Sequence, residues 1–169
     1  SAKLPHTFDF PMYYAITEGF CRTGDLRKIA AVLTQDRYYP EGHRHITFLD
    51  NHDTARVKTV CKDKTEAAFA LLTSLRGIPM ITWGTEVGLE AEAEPENRAD
   101  MVFERGPMHQ WLVDRLDERR SFSPLTEGYT DIVRAESDRL IFARVLPHEA
   151  ILVDVGGNGT TPSLPVEAG

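Results

Sequence analysis

The sequence predicts an α/β fold, a parallel sheet with helices packed outside it, followed by an antiparallel β segment. Three observations lead there. Up to about residue 122, short strand-like runs alternate with helical periodicities, and such alternation produces parallel sheets covered by helices. Beyond that point strands and turns dominate. Polar clusters stand directly after two of the strand-like runs, Asn51-His52-Asp53 and Gly84-Thr85-Glu86, where α/β barrels keep their functional loops.

Each element has its own signal. The run Phe8-Asp9-Phe10-Pro11-Met12 is short and aromatic, and Pro11, with no N–H to give to a ladder, should end that strand. In the next stretch Leu26, Ile29, Ala30 and Leu33 recur at i, i+3, i+4 and i+7, which is one apolar helical face. Gly24-Asp25 in front of it offers an N-cap. Pro40-Glu41-Gly42 reads as a turn and His45 to Asp50 as a strand. Asp63, three residues before Glu66, makes a capping-box pattern. Ala68, Phe69, Leu71, Leu72 and Leu75 continue at helical spacing until Gly77 stops them. Ile78 to Trp83 is apolar without alternation, the pattern of a strand buried on both faces. Glu86 to Glu96 is a long acidic loop. Pro107 suits the first position of a helix. Met108, Trp111, Leu112 and Leu116 form that helix's apolar face, and Arg119-Arg120 complement its C-terminal dipole. Arg139 to Val145 and Ala150 to Val155, joined by Pro147-His148-Glu149, form a hairpin, with a further turn at Gly156-Gly157-Asn158-Gly159.

Composition narrows the function classes. The 169 residues are 41% apolar and 27% charged, the mixture of an ordinary globular chain. A disordered tail, a collagen-like repeat and a small disulfide scaffold are excluded. The net charge is −7 and the pI is near 5.3, with no basic stripe for phosphates. Nucleic acid and an anionic membrane surface are therefore not expected partners; a neutral, hydroxyl-rich or apolar partner fits better. No apolar run approaches the ~20 residues that span a bilayer. Ser1-Ala2-Lys3-Leu4-Pro5 lacks the apolar stretch of a signal peptide, and the compartment stays open between cytoplasm and exterior. Cys21 and Cys61 stand alone in the sequence. They read as buried reduced thiols, with pairing left open for a secreted protein.

Four segments carry a family resemblance. Phe48-Leu49-Asp50-Asn51-His52-Asp53 resembles the F-x-x-N-H-D segment of the α-amylase family of glycoside hydrolases. Gly77-Ile78-Pro79 through Gly84-Thr85-Glu86-Val87-Gly88 resembles that family's G-x-P-x-x-x-x-G-T-E-x-G segment. Phe8-Asp9-Phe10-Pro11-Met12 looks like the F-D-F-P-L run of the sixth barrel strand, and Glu96-Asn97-Arg98-Ala99-Asp100-Met101 is similar to an E-N-R-x-x-M stretch past the eighth. The resemblance covers Thr7 to Gly159 and implies the last three βα units of a (β/α)₈ TIM-type barrel over 1–122. A partial β-sandwich-type C-terminal domain is implied over 123–169.

The same resemblance implies a retaining α-glucosidic hydrolase or transglycosylase acting on starch-like α-glucan or maltooligosaccharide. Asp53 would be its transition-state stabiliser, with His52, Asn51 and Arg98 as substrate-binding candidates. A sugar hydroxyl grows more acidic as the ring gains oxocarbenium character, so a carboxylate on it binds the transition state more tightly than the ground state. Retaining catalysis also needs a nucleophile and a general acid/base about 5–5.5 Å apart. By resemblance these lie on the fourth and fifth barrel strands, upstream of Ser1, so this chain alone is expected to be inactive. A non-catalytic carbohydrate-binding or complementing module is the alternative reading.

Other readings weigh less. Glu86 is better read as a loop-ordering carboxylate than as a general acid, and Trp83 as core than as a stacking platform. Arg98 has a second reading as an ion-pair partner of the acidic loop. His43, His45 and His52 are too dispersed for zinc. Glu90, Glu92, Glu94 and Glu96 lack the spacing of a calcium loop, so no cofactor is expected here, calcium being left to a full-length parent. Ser74 and Ser121 lie outside any G-x-S-x-G elbow, and no glycine-rich phosphate loop is present. Three parallel strands leave two open edges and an uncovered inner face, which predicts a homo-oligomer or a missing N-terminal barrel portion.

Overall fold

A computed structural model describes residues 5–40, 42–156, 159–162 and 166–167. Two sheets organise it. The first holds three parallel strands, β1 (His6–Phe8), β2 (Arg44–Phe48) and β3 (Ile78–Met80), in spatial order β1-β2-β3. Its register places Phe8 beside Ile46 and Phe48 beside Met80. The second is antiparallel. It contains β4 (Tyr129–Ala135), β5 (Arg139–Leu146), β6 (Glu149–Gly156) and β7 (Gly159–Pro162) in that order, with β8 (Val166–Glu167) also paired to β6. The hairpin of β5 and β6 is the predicted one. The predicted turn after it falls partly outside the described residues, at Gly157 and Asn158.

Among the described residues six α-helices connect and cover the sheets: α1 (Phe10–Tyr14), α2 (Arg27–Leu33), α3 (Val57–Cys61), α4 (Thr65–Ser74), α5 (Pro107–Ser121) and α6 (Ser123–Glu127). A π-helical run, Ala15–Thr23, continues α1. Leu26, Ile29, Ala30 and Leu33 are all buried, as the α2 periodicity predicts. Pro107 opens α5 as expected. Among the described residues no helix is long and apolar enough to cross a membrane.

The first predicted strand is displaced. β1 ends at Phe8, and Pro11 begins a helix instead of ending a strand, because Asp9 caps it: its carboxylate accepts the Met12 N–H at 3.2 Å. Pro11 sits in the first turn, where a missing N–H costs nothing. The predicted capping box at Asp63 does not form. Lys62–Lys64 makes a 3₁₀ turn and α4 starts at Thr65 without a side-chain cap. Asp25 accepts the Arg27 N–H at 3.2 Å, while Gly24, at φ +73°, ends the preceding π-helical run.

Gly77 does more than stop a helix. At φ +86° it lies so close to β2 that a Cβ would come within 2.4 Å of the His45 carbonyl oxygen. Only glycine fits there. β3 is not buried on both faces: Ile78 is 41% exposed, and Phe8, aligned with it across β2 through Ile46, is exposed as well.

One continuous core joins both sheets. Ile16, Phe20, Phe69 and Leu72 from the helices pack in one cluster with Leu140, Phe142, Ile151 and Val153 from β5 and β6. Two further findings correct the sequence reading. Cys21 and Cys61 are not free thiols; a disulfide joins them across a separation of 40 residues and ties the π-helical run to α3. Arg119 does not serve its own helix dipole. It is buried and donates to the carbonyls of Thr73, Leu75 and Gly77 at 2.7, 2.7 and 2.8 Å. It therefore caps the carboxyl end of α4, whose last carbonyls have no partner in the helix.

Candidate functional site

The site is built where β2 ends. Asp50 lies just past the strand and is buried. One carboxylate oxygen accepts the Val57 N–H at 2.8 Å and so starts α3; the other accepts the Thr85 hydroxyl at 2.7 Å. Burial pushes the Asp50 carboxyl above the ordinary carboxylate range, opposed by those two hydrogen bonds and by Arg56. Arg56 is fully buried and donates from Nε to the Asn97 carbonyl at 3.0 Å. Its guanidinium lies 3.8 Å from Asp50. Asp50 and Arg56 thus fasten together the loops after β2 and β3 and the acidic loop.

On this frame rides the turn from Asn51 to Thr54. The Asn51 side-chain oxygen accepts the Asp53 N–H at 2.8 Å, an Asx turn. Thr54 Oγ1 accepts the Asn51 N–H at 2.9 Å. From outside, Asn97 Nδ2 donates to the carbonyls of His52 and Thr54 at 3.0 and 3.2 Å. The backbone being held from both sides, the His52 and Asp53 side chains point outward, 50% and 60% exposed.

Asp53 Oδ1 lies 2.6 Å from Arg98 Nη2 and 3.3 Å from His52 Nε2. Oδ2 has no hydrogen-bond partner among the described residues. Arg98 also pairs with Glu94 at 2.6 Å and donates to the His52 carbonyl at 3.2 Å. The structure thus brings Asp53, His52 and Arg98 together. It makes Asn51 the residue that shapes their turn, and Arg98 does pair with the acidic loop.

Beside this group opens a cavity of about 480 Å³ walled by Phe8, Phe10, Met80 and Trp83 along with His52 and Asp53. Trp83 is 40% exposed, against the expectation of a core residue. Its ring stacks on His52 with centroids 6.1 Å apart, and the Arg56 guanidinium lies 5.0 Å from its centre. Its indole N–H donates to the Ala99 carbonyl at 3.1 Å. Glu86 lies in a 3₁₀ turn, Thr85–Val87, outside this cavity. His43 and His45 stand at the start of β2, far from His52 at its end.

Sequence reasoning missed Asp50, Arg56 and Asn97, whose pairings are long-range, and set aside Trp83. The one available signal was Asp50 preceding Asn51 within the motif itself. Chemically, an outward carboxylate steadied by an arginine and a histidine, beside an aromatic ledge, suits a polyhydroxylated ligand with an apolar ring face.

A parallel sheet with helices outside it and its polar site at the strand C-termini is the arrangement of part of an α/β barrel, followed here by an antiparallel β segment. Residues 8–130 match the family model for the α-amylase catalytic domain. The chain belongs to the α-amylase family of glycoside hydrolases. It is 36% identical over 136 residues to a beta/alpha-amylase of Paenibacillus polymyxa, covering 74% of this chain and 11% of that protein. It is 32% identical over 129 residues to a cyclomaltodextrin glucanotransferase of Bacillus licheniformis, covering 74% of this chain and 18% of that one. The solved cyclic α-maltosyl-(1→6)-maltose hydrolase of Arthrobacter globiformis superposes with a TM-score of 0.86 at 23% identity, over 98% of this chain and 45% of that one, a likeness of fold. The chain thus spans less than a fifth of the length of these two curated relatives.

Proposed function

We propose that this chain is the part of a retaining α-amylase-type enzyme that contributes the last three βα units of a (β/α)₈ barrel, over 1–122, and the start of a β-sandwich-type domain, over 123–169. In this reading Asp53 is the transition-state stabiliser and His52, Asn51 and Arg98 serve the sugar. His52 and Arg98 steady the Asp53 carboxylate, and Oδ2 stays open to accept sugar hydroxyls. Asn51 acts through the turn it closes. The substrate class is α-glucan or maltooligosaccharide, which the amylase and glucanotransferase relatives support.

One observation carries the reading: an outward, hydrogen-bonded Asp53 borders an aromatic-walled cavity at the strand end where barrel enzymes do their chemistry. It also bounds the reading. Asp53 is the sole carboxylate among the described residues lining that cavity. A retaining glycosidase needs two more, the nucleophile and the acid/base, placed about 5–5.5 Å apart. We assign these to barrel strands outside this sequence, so the chain alone binds sugar and does not turn it over.

Maltoheptaose titrated into the chain by calorimetry tests this. Saturable heat that is lost in Asp53→Asn, with no reducing sugar released by either protein, supports the reading. Reducing-sugar release by the wild-type chain would sink it. Heat unchanged in the variant would move the sugar site away from Asp53.

A further inference from the structure

The opposite end of the parallel strands carries a second cavity, of about 520 Å³. His43, Arg44 and His45 enter it at the start of β2, and Arg76 just before β3. Arg144 of β5 closes it from the antiparallel sheet. Arg37, Arg44, Arg76 and Arg144 line it against only Asp36 and Glu127 among the described acidic residues.

These arginines are not equivalent. Arg76 is neutralised, pairing with Asp9 and, at 2.7 Å, with Asp36. Arg37 and Arg44 are exposed at the rim. Arg144 is 1% exposed and makes no salt bridge among the described residues. Its Nη1 donates to Thr130 Oγ1 at 2.6 Å and its Nη2 reaches the Leu125 carbonyl at 3.4 Å, while Nε has no acceptor.

A buried guanidinium without a counter-ion carries a desolvation cost that two neutral hydrogen bonds offset only in part. Burial, then repulsion from Arg119 and Arg76, pushes the Arg144 pKa down to about 9, which still leaves it charged at neutral pH. Arg119 also has no carboxylate partner among the described residues, yet it donates to three carbonyls. Among the described residues, Arg144 combines full burial and positive charge with a place on this cavity's wall.

We propose that this cavity is a binding site for a phosphate-class oxyanion, with Arg37, Arg44 and His43 as its donors at the mouth and the buried Arg144 guanidinium as the positive charge behind them. An oxyanion supplies the negative charge that Arg144 lacks among the described residues, and it takes charge-assisted hydrogen bonds from the exposed arginines. The phosphate group is the recognised chemistry. A cavity of this size lies in the range that holds small organic ligands, so the group arrives either as the free ion or as a small sugar's phosphate monoester. The site is independent of the Asp53 cavity, which sits at the other end of the strands.

The test is calorimetry on the full chain with inorganic phosphate and, in parallel, glucose 1-phosphate, at ionic strength held constant with sodium chloride. Saturable binding of at least one probe is expected. Arg144→Met should weaken it at least tenfold, and Arg44→Gln, at an exposed position, roughly threefold or more. Equal affinity for both probes assigns the free ion; tenfold tighter binding of glucose 1-phosphate assigns the ester. Absence of saturable heat with both probes overturns the site, as does affinity unchanged in both variants. If Arg144→Met does not fold, Arg37→Gln combined with Arg44→Gln gives the same reading.

Discussion

The two ends of the three parallel strands are built on opposite principles. At the C-terminal end, the polar side chains facing the cavity come from one short stretch, Asn51 to Asp53, steadied by Arg98, and His52 and Asp53 point outward beside aromatic walls. At the N-terminal end, Arg44, Arg76, Arg119 and Arg144 come from four separate places in the chain, and three of them are buried or nearly so. One end presents charge that is anchored but accessible. The other encloses charge between two sheets. A loop can carry an exposed group once its backbone is held, whereas a buried cation needs acceptors delivered by distant segments. The first kind of site leaves a contiguous trace in a sequence, and the second does not.

Breaking the braces of each end should give the largest effects. The Cys21–Cys61 disulfide closes a separation of 40 residues, a constraint worth on the order of 4 kcal/mol by loop-closure entropy. It holds α3, the helix that Asp50 starts. Cys21→Ser combined with Cys61→Ser should lower the urea midpoint accordingly, and dithiothreitol should reproduce the drop in the wild-type chain alone. Arg119→Met strips donors from three carbonyls at the other end. It should cost about 3 kcal/mol in the same unfolding experiment, with the loss concentrated in buried groups left unpaired.

A smaller effect should appear on acidification. Burial lowers the His45 pKa from 6.5, reinforced by Arg76 and His43 and opposed by Asp9 and Asp36. The unfolded chain therefore binds the proton more readily than the folded one. His45's contribution is fully present above pH 6.5 and is lost as the pH falls from there through its lower folded value. Asp50, raised by burial, acts with the opposite sign: its contribution is present below 3.8 and is lost as the pH rises through its folded value. Thermal midpoints from pH 7.5 to 5 should fall more steeply in the wild-type chain than in His45→Gln. Parallel curves would remove His45 from the account.

How much of this was legible follows the same division. The alternation of strands and helices, the α2 face, Pro107 and the β5–β6 hairpin all rest on local periodicity or turn chemistry, and apart from the displaced first strand each stands where the sequence puts it. Pro11 misled because the same residue ends a strand or opens a helix, and Asp9 decides between them through one hydrogen bond to Met12. Ile78 to Trp83 is apolar enough for a doubly buried strand, but periodicity cannot report whether anything packs on it. Trp83 looked like core for the same reason. The cysteines could not be paired from sequence, since their Cα separation of 4.7 Å depends on how the π-helical run lies against α3. His52 and Asp53 were legible as a motif, and Arg98 with them; Asp50, Arg56 and Asn97, which hold the motif in place, were not.

The smallest expected change in stability comes from Asp53→Asn. Its ion pair with Arg98 is exposed on both sides, and such pairs contribute at most about 1 kcal/mol. That small cost makes the variant a clean probe of ligand binding.

The most direct measurement is therefore maltoheptaose binding and turnover by the wild-type chain beside Asp53→Asn, both confirmed folded by circular dichroism. Saturable binding to the wild type, at least tenfold weaker binding to the variant, and no bond cleavage by either are expected. Cleavage by the wild type, or equal binding by both proteins, would contradict the proposed function.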